Sequence, residues 1–125
     1  MMWLLFMYRN SDELEKLARR VSSSWASFRK PEPGELKRKA ESPDQGARYV
    51  AVNCNNRDTF ELRFFKSTLS AQEFYAAIEF ADASVKYTKW ISSADVLKGR
   101  ALTWADFAEF ALKNGYTNLV AEISK

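Results

Sequence analysis

The sequence predicts an α+β fold in which a small antiparallel β-hairpin or sheet is flanked by four or so helices, and three observations carry the prediction. Residues 48–66 alternate with a period of two around a polar turn. The segments on either side place apolar residues at spacings of three and four. Ser70 and Thr103 each stand three residues before an acid where a helix would begin. With 125 residues, 46% hydrophobic, and no internal repeat, the chain is long enough for one core and reads as a single domain over 1–125. Its expected parts are an N-terminal helical segment (1–29), a polar connector (30–46), the hairpin (47–66) and C-terminal helices (70–125).

In the first part, Asn10 can cap free backbone N–H groups, and Asp12 and Glu13 suit the positive end of a helix dipole. Leu14, Leu17, Ala18, Val21, Trp25 and Phe28 then share one face, which predicts an amphipathic helix over about 11–29. Periodicity leaves residues 2–9 open between helix and strand, because nearly every position is apolar. Pro31, Pro33 and Gly34 end the helical pattern, and the polar stretch that follows carries Lys37-Arg-Lys39 between Glu35 and Glu41, a charge run expected on a solvated surface.

In the hairpin, Tyr49, Ala51 and Asn53 alternate with Arg48, Val50 and Val52, and Asn55-Asn56 tolerate left-handed turn conformations. On the second strand Thr59, Glu61, Arg63 and Phe65 face one way and Phe60, Leu62 and Phe64 the other. The carboxylate and guanidinium at Glu61 and Arg63 stand about 7 Å apart at the backbone. They can hold a metal ion and an anionic group together, or else simply pair with each other for about 0.2–1 kcal/mol.

Ser70-Ala-Gln-Glu73 has the form of a capping box opening a helix to about Trp90, with Phe74, Ile78, Ala81 and Val85 as the stripe expected to pack on the hairpin. Ser92 to Gly99 allows a short helical turn stopped by the glycine. Thr103-Trp-Ala-Asp106 opens another helix carrying Phe107, Phe110 and Ala111, and Lys113-Asn-Gly115 closes it. Tyr116 to Lys125 is one more short helix with Leu119, Val120 and Ile123 inward.

Composition excludes several classes of chemistry. There is no His, so the usual general base and every Ser-His or Cys-His pair are missing, and the only cysteine, Cys54, has no thiol in this sequence to pair with. Cysteine usage favours a cytoplasmic location. Met1-Met-Trp-Leu-Leu-Phe-Met-Tyr8 is far shorter than the roughly 20 apolar residues of a membrane span and lacks the basic start of a signal peptide, so no membrane role is expected. A net charge of +3 tolerates an anionic ligand without requiring one. Nucleic-acid binding through Lys37, Arg38, Lys39, Arg48 and Arg57 ranks last, since no nucleic-acid motif accompanies them.

At Arg48-Tyr-Val-Ala-Val-Asn53, Thr59-Phe-Glu-Leu-Arg-Phe-Phe-Lys-Ser-Thr-Leu69 and Trp104-Ala-Asp-Phe107 to Tyr116-Thr-Asn-Leu119, the chain resembles the C-terminal part of amidoligases, carboxylate–amine ligases related to glutamine synthetase. The resemblance implies an ATP–magnesium site on the hairpin, with Glu61 as metal ligand, Arg63 as phosphate contact, Arg48 and Asn53 as polar support, and Lys66 as a retained cation. It departs from the family where Phe65-Lys-Ser-Thr68 replaces Phe-Arg-Gly-Thr, and the family's Glu-rich N-terminal half is not in the sequence. The expectation is therefore a small non-catalytic amidoligase-like protein, without a cofactor, that acts by binding another protein, as phage or mobile-element inhibitors such as anti-CRISPR proteins do. The alternative is the C-terminal part of an ATP- and Mg²⁺-dependent ligase whose site is completed by a partner or a homo-oligomer.

Overall fold

The computed structural model describes residues 1–21, 27, 28, 34, 51–54, 56, 58–99 and 101–125. Among them are six helices and one two-stranded antiparallel sheet, an α+β fold. The chain divides into two compact units, the first running to Lys66 and the second starting at Ser67. Apart from Gly34, the predicted connector lies outside the described residues, as do Trp25, Arg48, Tyr49, Val50, Asn55 and Arg57.

In the first unit the apolar start forms α1 (Met2–Arg9), which buries Leu4, Phe6 and Met7. It is separated from α2 (Ser11–Ala18) by Asn10, whose backbone leaves the helical region at φ −111°, ψ 35°. Asn10 holds the cap position expected for it, and its carbonyl accepts the Leu14 N–H at 3.0 Å. Its buried side chain, however, turns back and donates to the Phe6 carbonyl at 2.8 Å, closing α1 instead of capping α2.

Helix α2 buries Leu14, Leu17 and Ala18 as the spacing predicts, but it stops at Ala18 and does not continue to about 29. Arg19 adopts the left-handed conformation at φ 54°, the Arg19 N–H donates to the Lys16 carbonyl at 3.0 Å, and the Arg20 N–H donates to the Glu15 carbonyl at 3.2 Å. That pair of bonds is a Schellman ending, which satisfies carbonyls the last turn leaves open. Val21, expected on the inner stripe, is exposed. The periodicity ran past the end because the left-handed position is held by arginine, not by the glycine that usually marks it.

The hairpin is present, with β1 (Val52–Asn53) and β2 (Glu61–Leu62) in the register Val52 to Leu62 and Asn53 to Glu61. Pairing extends one step through the Arg63 N–H to the Ala51 carbonyl at 2.9 Å, and the Ala51 N–H donates to the Ser27 carbonyl at 3.0 Å. Asn55 of the expected polar turn lies outside the described residues. The apolar face is filled at one end only. Phe64 is buried against Phe28 and Phe65, with ring centroids 5.1 and 4.7 Å away, whereas Phe60 is 60% exposed and stacks on Trp3 at 5.0 Å.

The second unit is helical. Helix α3 (Ala71–Lys89) starts at Ser70, whose hydroxyl accepts the Glu73 N–H, but the other half of the expected box is rerouted. Thr68 donates its hydroxyl to the Glu73 carboxylate and accepts the Ser70 N–H at 3.0 Å, so the threonine stands between the two groups. Helix α4 (Ser93–Leu97) carries a complete reciprocal cap between Ser92 and Asp95 and ends before Gly99 at φ 68°. Helix α5 (Trp104–Lys113) is capped by Thr103, and α6 (Thr117–Ile123) follows Gly115 at φ 77°.

Sequence periodicity assigned the wrong inner face to α3. Phe74, Ile78 and Val85, predicted inward, are 55%, 52% and 50% exposed, while Ala76, Phe80, Ala83, Ser84 and Thr88 are buried. The helix carries two apolar stripes, 74/78/81/85 and 76/80/83/87, and spacing cannot choose between them. Aromatic packing does: Phe80 meets Phe107 edge-on at 5.7 Å, and Tyr87 lies 5.5 Å from Phe107 and 5.6 Å from Phe110. Buried Leu102, at φ 66°, donates its N–H to the Tyr87 hydroxyl at 3.1 Å.

Candidate functional site

The period of two along β2 puts Glu61 and Arg63 on one side, and the register sets Asn53 opposite Glu61. The structure brings these three predicted residues together. Asn53 donates its Nδ2 to Glu61 Oε2 at 3.0 Å, and Arg63 Nε lies 3.5 Å from Glu61 Oε1. Both carboxylate oxygens therefore face a donor. The Glu61 side chain is 51% exposed, so solvent screens the pair and its worth is at the low end for ion pairs, about 0.2–1 kcal/mol. The Arg63 carbonyl accepts from Arg20 Nη1 at 3.4 Å, which ties the strand to the end of α2.

Lys66 is exposed and follows the strand, with its N–H donating to the Ala18 carbonyl at 3.1 Å. Arg48 lies outside the described residues. Among the described residues no group of three or more acidic, cysteine or histidine side chains gathers to hold a metal. Among the described residues the donor set at the hairpin is one carboxylate, already met by Asn53 and Arg63, with no second acid beside it. Mg²⁺ takes oxygen ligands in near-octahedral geometry. The described residues do not form a fit for that ion.

A second surface lies on α3 and was missed as a site because its residues had been assigned to the core. Phe74, Ile78 and Val85, with half-buried Ala81 between them, form one stripe open to solvent, and Leu69 and Tyr75 are exposed beside it. The opposite side of the helix is buried at Ala76, Phe80, Ala83, Ser84 and Thr88. A signal for this was available in Phe80 and Tyr87, which give the other stripe the larger aromatic content.

One edge of this surface is polar and built. Asp82 Oδ2 accepts from Lys86 Nζ at 2.8 Å and from the Tyr116 hydroxyl at 2.7 Å. Further along, Glu79 accepts from the Leu119 N–H at 2.7 Å and from Asn118 Nδ2 at 2.6 Å, and Gln72 Nε2 donates to the Asn118 carbonyl at 3.0 Å. Glu79 thus supplies from α3 the N-terminal cap that α6, preceded by Tyr116, lacks on its own.

Hydrogen bonds from Lys86 and then Tyr116 hold the Asp82 carboxyl below the usual carboxylate value, and the Asp82 contact raises Lys86. A carboxyl depressed in the folded state stabilises the fold above its unfolded value of about 3.9, and that contribution is lost as pH falls through the folded value. Tyr116→Phe removes one donor, so the Asp82 carboxyl should titrate closer to the ordinary range. Carboxyl-carbon NMR across the acid range measures this; an unmoved titration would show that Tyr116 does not act on Asp82.

No family model, curated protein or solved structure matches the chain. Among the described residues no helix is long and apolar enough to cross a membrane.

Proposed function

We propose that the chain is a small non-catalytic protein that acts by protein binding, with the exposed stripe of α3 as its docking surface. The observation that carries the reading is the state of Phe74, Ile78 and Val85: large apolar side chains, aligned on one helix face, each about half in water. Contiguous exposed apolar side chains with a polar rim mark interaction surfaces, and Asp82 with Lys86 supplies such a rim. An inhibitor of the kind encoded by phages and mobile elements, the anti-CRISPR proteins among them, is the biological form this reading takes. The amidoligase-like hairpin contributes framework: Glu61 pairs with Asn53 and Arg63 within the sheet.

A photo-crosslinking side chain at Ile78 should yield protein adducts in an extract of the source cells, while the same group at exposed Ala121 on α6 should not. Absence of adducts at Ile78 would remove the docking surface. The ligase alternative would place its site at Asn53, Glu61 and Arg63, and calorimetry with Mg²⁺ and ATP separates it. Heat that disappears in both Glu61→Ala and Arg63→Ala would replace protein binding with nucleotide binding.

A further inference from the structure

The stripe on α3 has a property that a surface for an unrelated partner does not need. Its spacing, 74 to 78 to 81 to 85, reads four, three, four from either end. Two copies of the helix laid antiparallel about a two-fold axis would set Phe74 against the partner's Val85 and Ile78 against the partner's Ala81, a larger side chain facing a smaller one at each position. Isologous pairing requires this self-complementarity, and a small residue at Ala81 lets helices approach to the usual 8–10 Å.

Charge agrees with that arrangement. Asp82 would face the partner's Ala77, and its carboxylate is already met by Lys86 and Tyr116 in its own chain, so no unpaired acid is carried into the contact. Lys89 would face the partner's Ser70. Area agrees as well. Phe74 and Tyr75 each expose about half of the 150–250 Å² an aromatic residue can bury. With Ile78, Val85 and the exposed Leu69, a pair of faces would remove on the order of 1,000 Å² in total, the threshold for a specific interface.

We infer that the occupant of the α3 surface is a second copy of this chain, held as a weak two-fold dimer by antiparallel α3 helices. The inference rests on the reading of α3 as a docking surface and names its partner.

Light scattering on the full chain, over concentrations from about 1 μM to about 1 mM, should give a mass that rises from monomer to dimer. Phe74→Glu and Val85→Lys should each remain monomeric. Their equimolar mixture should regain the dimer, because the introduced charges then face each other across the axis while the second Phe74–Val85 contact is intact. A monomer throughout the series overturns the dimer; adducts of Ile78 with a different protein would then leave the docking surface standing, and no adducts at all would remove both. Dimerisation unaffected by either single variant places the interface elsewhere and overturns the proposal. Should the variants lose their helical circular dichroism, the photo-crosslinker at Ile78 in the purified chain decides: attachment within the partner's α3 supports the pairing, and attachment only outside it, or none, overturns it.

Discussion

Phe107→Ala should lower the unfolding free energy by about 3–5 kcal/mol, read as a fall in the urea midpoint and a loss of amide protection in α3, α5 and α6. Phe107 is fully buried and lies where three other rings converge: Phe80 at 5.7 Å, Tyr87 at 5.5 Å and Trp104 at 5.3 Å. Truncation removes the transfer free energy of the ring and leaves a cavity that three rigid aromatic groups cannot collapse into, which puts the cost at the upper part of the range for core truncations. Phe110→Ala, at a half-buried position, should cost less. Equal losses from the two would mean that α5 does not pack through Phe107.

Phe64→Ala should have an effect of similar size, again about 3–5 kcal/mol, on the first unit. Phe64 is 2% exposed and packs between Phe28 and Phe65, so its ring joins the segment that follows β2 to the rest of that core. Phe60, on the same side of the strand by alternation, is the internal comparison. It is largely exposed and stacks on Trp3, so Phe60→Ala should forfeit about 0.5–1.5 kcal/mol for the aromatic pair. Chemical denaturation of both variants measures the difference. If Phe60→Ala proves as damaging as Phe64→Ala, the two ends of the strand are not packed as described.

These comparisons mark how far sequence carries. Caps were legible because they are local: Ser70 and Thr103 sit at the starts of α3 and α5, and Gly115 follows α5, each decided by residues within one turn. Glu61 and Arg63 were legible as neighbours because strand alternation has a fixed period, and Asn53 joined them once the register was formed. What was not legible depended on contacts distant in sequence or on a residue outside its usual role. Arg19 takes a left-handed position without being glycine, so α2 reads as longer than it is. The inner face of α3 is selected by Phe107 and Phe110, twenty or more positions from the helix residues they meet. Asn10 offers a side chain that can serve either of two helices, and the choice of Phe6 is made by their joint geometry. The metal and phosphate roles came from a carboxylate and a guanidinium sharing one strand face and from the resemblance, and in the structure Glu61 faces an amide and a guanidinium as a sheet ion pair does.

The cap that Glu79 places on the start of α6 also bears on the order in which the second unit forms. Helix α6 spans seven residues, below the roughly 12–15 at which an isolated helix becomes even marginal in water. Its first-turn donor at Leu119 is met by a carboxylate 40 positions earlier in the chain. Helix α6 therefore draws its start from α3, and its order follows that of the helix that brings Glu79 into place.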